Sequence, residues 1–327
     1  MRHLLDVGRA RAKPEPAALR GRLPRIVTTA MGVALLAAAI LSMATAGRDS
    51  ALANLDNALG SDAVLRASAL EEYFERAESI ELLMANDSAL GQFEPGRDQL
   101  SASQIAAASS QAAKTMAYLQ ELYPGRISEA CLIDDTGTEW ARVVRGKIAP
   151  ASELSTEEAS SPFFAPTMEL PKGHVHQAAP YLSPDTNEWV ISNSTPLVTA
   201  SGRTWGMAHF EVVLDTFRPG ANGVGTRFTD LIVDNRTGRI LLDSDQPLVG
   251  TAALGREGSA GLRALVGEPG SRTFATVDGH RMAVARVPVQ QDNENSWSVV
   301  VIAPVEAGGW AGAIGPAVVA TALAALL

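Results

Sequence analysis

The chain has 327 residues and a single cysteine, so neither an internal disulfide nor a four-thiolate metal site can be built from it. Aromatic residues are scarce, at 5%. Basic side chains are the minority: 27 Lys and Arg stand against 36 Asp and Glu, for a formal net charge of -9. That balance excludes the cationic surface that nucleic-acid phosphates require. The chain also lacks a Gly-x-Ser-x-Gly elbow, a His-Glu-x-x-His run and a phosphate-cradling glycine loop. The expectation is a non-catalytic chain with no cofactor and no metal centre. What is abundant is apolar: 46% of the residues are hydrophobic, enough to bury a core and to exclude a disordered chain. The length is soft evidence for two domains.

Charge is unevenly spread. Residues 1–47 carry seven basic side chains, Arg2, Arg9, Arg11, Lys13, Arg20, Arg22 and Arg25, against Asp6 and Glu15. Between Arg25 and Arg48 lie 22 uncharged residues, Ile26 to Gly47. A helix rising about 1.5 Å per residue needs about 20 such residues to cross a bilayer, which predicts a transmembrane helix over 26–47. A cleaved signal peptide competes, because Ala44-Thr45-Ala46 has the small-x-small pattern of a cleavage site. The apolar run exceeds the roughly 7–15 residues of a signal sequence, which favours an anchor. By the positive-inside rule the basic leader, 1–25, stays in the cytoplasm and residues 48–306 lie outside it, at the cell (plasma or inner) membrane. Ala307 to Leu327 is again free of charge and predicts a second span over 307–327, weakened by Gly308, Gly309 and Pro316. A cytoplasmic continuation carrying the output activity is expected beyond Leu327. Small residues four apart (Ala30, Ala34, Ala38, and Gly308 with Gly312) allow close helix contact, and a homodimer is expected.

From Arg48 to about Asn86, Leu52, Leu55, Leu59, Leu70, Phe74, Ala77 and Met84 recur at helical spacing, with a weak point at Gly60-Ser61-Asp62 where Ser61 or Asp62 could cap a resumed helix. A second helix is predicted over 101–123, opened by Ser101 and closed by Pro124-Gly125. The pattern then changes to five strands, 127–134, 139–145, 175–183, 188–198 and 204–214, with a helical insert over 155–170. A smaller version follows: strands at 228–234 and 239–243, a short helix near 259–266, and strands at 272–277, 281–288 and 297–303. Leu132-Ile133-Asp134-Asp135-Thr136-Gly137 and Ile232-Val233-Asp234-Asn235-Arg236-Thr237-Gly238 look like one hairpin written twice, with Asp opening the turn and Gly taking positive φ. The predicted fold class is α+β. Its division is a helical segment over 48–100, a first module over 101–217 and a smaller second module over 218–306.

Alternation in 188–197 puts Trp189, Ile191, Asn193 and Thr195 on one face and Val190, Ser192 and Ser194 on the other. The first face suits a small polar ligand, with Trp189 as a stacking wall and Asn193 and Thr195 as hydrogen-bonding groups; it could equally be core. Trp140 and Arg142 are expected on one face of their strand, where Arg142 could grip the carboxylate of an organic acid through two N–H bonds or instead pair with an acid such as Glu157. Tyr181 is a further candidate, whereas Asp185 suits an Asx turn. His174, His176, His209 and Glu211 invite a zinc site by their His-x-His and His-x-Glu spacing, although nothing in that spacing demands one. Cys131 lies in an apolar run where a thiol normally packs.

The run Pro180-Tyr181-Leu182-Ser183-Pro184-Asp185-Thr186-Asn187-Glu188-Trp189-Val190-Ile191-Ser192-Asn193-Ser194-Thr195-Pro196-Leu197, followed by His209-Phe210-Glu211-Val212, resembles the distal-sheet signature of double Cache (dCache) sensor domains of bacterial transmembrane receptors, in particular those that precede GGDEF diguanylate cyclase modules. The resemblance spans about residues 48–306. It implies that the helical segment is a long signalling helix with the start of a cap, and that the two modules are PAS-like sheets in series, the first membrane-distal and the second membrane-proximal. It also implies a small-molecule pocket between the distal sheet and its helical cap, and signalling through the membrane helices of a dimer. The amino-acid-binding pattern of that family includes a Trp-Tyr pair, which this sequence lacks, so an amino-acid ligand is not expected. The alternatives are an ectodomain that docks a protein or wall polymer, and a metal-dependent ectoenzyme.

Overall fold

The computed structural model describes residues 23–93, 99–218, 220, 227–248, 254, 256–257, 273–277, 279–290 and 294–305. The leader through residue 22, the short helix expected near 259–266 and the second span at 307–327 lie outside the described residues.

Helix α1 runs without a break over Leu23–Ala85. The expected weak point at 60–62 is absent. Gly60 is buried beside Leu59 and Ala63, and Asp62 reaches forward to Arg66 one turn later (3.2 Å) instead of capping a new helix. The stretch from Val27 presents exposed Val27, Met31, Leu35 and Leu41, and the helix is long and apolar enough to cross a membrane. Contacts set the described residues before 55 apart from a second unit within residues 55–305. The second unit also contains α2 (Ser88–Gly91), α3 (Ala102–Leu122) and α4 (Phe164–Met168). Ser101 and Gln104 close a reciprocal capping box at the start of α3, satisfying backbone donors that would otherwise be orphaned.

Two antiparallel sheets follow in series. The first contains β1 (Ile127–Asp134), β2 (Glu139–Val144), β3 (Lys147–Ile148), β4 (His176–Gln177), β5 (Tyr181–Leu182), β6 (Trp189–Val198) and β7 (Thr204–Val213), in the order β3-β2-β1-β7-β6-β4 with β5 paired to β6. The second contains β8 (Thr229–Asp234), β9 (Arg239–Asp243), β10 (Arg256–Glu257), β11 (Thr273–Val277), β12 (His280–Pro288) and β13 (Trp297–Pro304), in the order β10-β9-β8-β13-β12-β11. The two orders are one topology: an opening hairpin whose first strand lies beside the last strand of its sheet. The shared hairpin has a shared cause. Asp134 accepts from the Thr136 N–H and Asp234 from the Arg236 N–H, and Gly137 and Gly238 take φ of +85° and +68°. The single strand expected over 175–183 is instead two, β4 and β5, parted at Ala178–Pro180, where Pro180 has no N–H for a ladder.

One face of the first sheet, including Ala130, Leu132, Val143, Ile191, Phe210 and Val212, belongs to a core shared with α1 and α3. Gln120 of α3 donates to the Val143 carbonyl (2.9 Å). The same core continues into the second sheet through Ile232, Leu242, Trp297 and Val299, and Phe74 of α1 packs edge-on against Trp297 with ring centroids 5.5 Å apart. The modules are also joined by hydrogen bonds from Asn295 to the Ala178 carbonyl (3.1 Å) and from the Leu248 N–H to Asp215 (2.8 Å).

Candidate functional site

The opposite face of the first sheet is covered by the insert between β3 and β4. Its 3-10 turns at Ala151–Glu153 and Glu158–Ser160 lead into Phe163 and α4. Phe163, Phe164 and Ala178 pack on Cys131, Ile133 and Met207, and Phe163 stacks on His209 with 3.8 Å between ring centroids. A Cβ on Gly137 would lie 2.3 Å from the Ala159 N, so only glycine lets the β1–β2 turn seat against this cap.

Register decides what lies beneath the cap. Along β1, Glu129 and Cys131 pair with Glu211 and His209 of β7, which in turn pair with Ser192 and Ser194 of β6. On the other side Cys131 pairs with Arg142 of β2. A bulge then places Glu139, not Trp140, opposite Ile133. An uncommonly polar patch is therefore enclosed. Tyr181 Oη donates to Glu211 Oε1 (2.7 Å), and His209 Nδ1 lies 2.9 Å from Ser194 Oγ. Arg142 reaches Asp185 (2.9 Å), lies 3.5 Å from Glu139 and donates to the Glu153 carbonyl. Glu139 accepts from the Ser155 N–H (2.7 Å) through one oxygen only. Its other oxygen, Glu129 Oε2 and His209 Nε2 are buried without a hydrogen-bond partner.

Burial controls the charge of this patch. Desolvation, reinforced by Glu211, Asp185 and Glu139, pushes the Glu129 carboxyl up to about 10. Desolvation also raises Glu139 to about 7, against the pull of the Ser155 N–H and Arg142. It raises Glu211 to about 7, against the hydrogen bond from Tyr181. His209 is pushed down to about 3 by burial and by neighbouring His176, so its ring is neutral. The Cys131 thiol is pushed up by burial and then by Glu139 and Glu129.

The residues expected at the site separate into two groups. Tyr181 and Arg142 come together under the cap. Trp189, Asn193 and Thr195 do not, because odd-numbered positions of β6 share the face of Ile191, on the helix side. There Asn193 accepts from Gln177 (3.0 Å), and Thr195 donates to the His174 carbonyl (2.8 Å) and lies close to buried Glu81. Trp140 does not share a face with Arg142: the bulge turns it to the helix side, where it packs 4.4 Å from Phe93 and donates to Asp134 (2.7 Å). Arg142 pairs with Asp185 and Glu139 rather than Glu157, and Asp185 is an ion-pair partner rather than only a turn residue. Trp189 lines a cleft of about 380 Å³ at the foot of the sheet, together with Arg126, Asp215 and Arg218.

A sequence model of the Cache domain, dCache_1, matches residues 44–307. The chain belongs to the Cache domain family. No curated protein matches it in sequence. Among solved structures it is similar to the sensory domain of the Campylobacter jejuni chemoreceptor Tlp3 (CcmL) with isoleucine bound, at 11% identity and a TM-score of 0.59, covering 79% of this chain and 96% of that one. It is also similar to the ligand-binding domain of the Pseudomonas fluorescens chemoreceptor CtaA in complex with L-leucine, at 18% identity and a TM-score of 0.51, covering 78% and 97%. The extracellular domain of vpHK1S-Z8, named as a histidine kinase, is 11% identical with a TM-score of 0.56, covering 77% and 94%. At these identities the likeness is one of fold. As a member of the Cache family this chain is an extracytoplasmic sensor domain of the kind found in signal-transduction receptors, and not an enzyme.

Sequence reasoning missed Glu129, Cys131, Glu139 and Glu211 as a group. Their donor set is what a metal would use: one atom each from Glu129, Cys131 and Glu139 lies within 4.8 Å of the others. The zinc reading had rested instead on His174, His176, His209 and Glu211. His209 Nε2 does approach Glu211 Oε1, at 4.0 Å, but these four are not a group of gathered donors among the described residues.

Proposed function

We propose that this Cache domain senses a small molecule bearing a protonated amine, held under the cap of the distal sheet, and that it signals from outside the cytoplasm through α1. The carrying observation is the gathering of acidic groups on the cap face: the carboxyls of Glu129, Glu139 and Glu211 are buried there with Arg142 as the neighbouring cation, and Arg142 is already engaged by Asp185, Glu139 and the Glu153 carbonyl. Such a face rewards a cation, because an opposite charge in a desolvated site restores what burial removes. The organic acid expected from Arg142 fits less well, since the guanidinium fork is occupied. Amino acids are the first class to screen, supported by the isoleucine and leucine named for the two chemoreceptor domains.

The apolar start of α1 supports a membrane anchor, and the basic leader supports its orientation. Homodimerisation is supported by the small residues spaced along that stretch. The output is proposed to be a diguanylate cyclase, on the likeness of residues 180–197 to Cache domains that precede that module. A thermal-shift screen of the full chain in detergent tests the ligand class, because a ligand that binds only the folded state raises apparent stability. Amines and amino acids are expected to stabilise the wild type and to lose their effect in Glu211→Gln. Stabilisation by carboxylates lacking an amine, with none by amines, would overturn the reading.

A further inference from the structure

We propose that Glu129, Cys131 and Glu139 bind a divalent, thiophilic metal ion, with zinc as the probe. The inference rests on the cap face being the receptor surface and adds a metal ion at its floor. The three side chains project from adjacent strands β1 and β2 onto one face, with their ligand atoms within 4.8 Å of one another. Donors about 2.0–2.3 Å from a tetrahedral ion stand about 3.3–3.8 Å apart, so a small side-chain adjustment brings the three to a common centre. Independent of the spacing, Glu129 Oε2 and Glu139 Oε1 are buried, in side chains 4% and 1% exposed, and neither has a hydrogen-bond partner. A carboxylate oxygen in that condition forfeits its hydration with nothing in return. The thiol between them is 1% exposed. One sulfur and two carboxylate oxygens match the borderline-soft preference of zinc better than the all-oxygen preference of calcium or magnesium.

Other groups bear on the same space. Arg142 Nη1, 3.5 Å from Glu139 Oε2, opposes a cation, while Glu211, Asp185 and Glu158 favour one. His209, directly across from Cys131 and neutral, has a free Nε2 on the same face. Binding replaces the Cys131 S–H bond with an S–metal bond and releases that proton, and any carboxyl protons, to solvent; no electron is transferred. Three protein donors leave a fourth coordination position open.

The test uses the full chain in detergent, stripped with a chelator and then titrated with zinc by calorimetry and with cobalt by absorbance. One ion per chain is expected, with a thiolate-to-cobalt charge-transfer band that Cys131→Ala abolishes. Glu139→Gln is expected to weaken binding by about 10–100-fold, the range caused even by removing an outer partner of a metal ligand. Circular dichroism establishes that each variant is folded. The proposal is overturned if the wild type takes up no stoichiometric zinc, or if Cys131→Ala binds it as tightly. Repeating the amine screen in chelator separates the two readings: stabilisation by amines there, without zinc uptake by the wild type, removes the metal and leaves the amine receptor standing.

Discussion

Glu129, Glu139 and Glu211 each lose the water that would stabilise their charge, and each folded-state value lies above the ordinary carboxylate range. The native chain therefore holds protons that the unfolded chain has released once pH exceeds about 4.3, the ordinary Glu value. Stability from these groups is complete below that value and is lost as pH rises through about 7 for Glu139 and Glu211. The ligand-free protein is expected to melt at a higher temperature at pH 5 than at pH 8. Asp230, raised by burial to about 7 although Arg66 opposes the shift, adds a slope of the same sign from the second sheet. The measurement is consequently a comparison: Glu211→Gln should show a visibly smaller drop between the two pH values than the wild type, and an unchanged drop would mean that Glu211 is already charged in the native state. The signal for this cluster was present in the strand Ile127–Asp134, where an acid and a thiol alternate with Ala130 and Leu132. A carboxylate in a strand buried on both faces conflicts with its surroundings, and such conflicts concentrate at functional sites.

At the scale of elements, period-two alternation sorted β6 correctly into two faces but could not say which one the cap covers. That depends on the insert at 151–170 crossing one particular side, a long-range fact with no local signature. The β2 bulge is a second example: it moves Trp140 to the helix side and brings Glu139 beside Arg142, and no Gly or Pro in Glu139–Val144 announces it. Strand positions were legible because hairpin turns advertise themselves; β1 and the start of β7 fall where the sequence pattern places them. One contact beyond reach of pattern is that of Gly206 in β7. An added Cβ there would lie 2.4 Å from the Ile133 carbonyl oxygen, so backbone and not a yielding side chain blocks it. Gly206→Ala is expected to cost about 1–3 kcal/mol, the usual penalty for overpacking, measured by urea denaturation. A loss below about 0.5 kcal/mol would show that β1 and β7 can separate locally without cost.

The whole molecule repeats one topology twice, and the repetition was readable from the duplicated Asp-to-Gly hairpin because turn chemistry survives where strand residues diverge. What ties the copies together was not readable: Arg66 of α1 reaches Asp230 of the second sheet at 2.8 Å, and Phe74 meets Trp297, contacts between residues more than 150 positions apart. Such ties fix the second sheet to the long helix, and the proposed signalling needs a coupling of this kind between sheet and helix. For that coupling to carry a signal across a bilayer, the leader and the sheets must lie on opposite sides of it. The sole cysteine, Cys131, is 1% exposed and thus silent to a thiol reagent, which makes the chain suited to a topology test. Lys147 is exposed on β3, and Ala10 lies in the basic leader. A membrane-impermeant maleimide added to intact cells should label Lys147→Cys but label Ala10→Cys only after the cells are opened. Labelling of Ala10→Cys in intact cells would place the leader outside and contradict the positive-inside orientation on which the sensor reading depends.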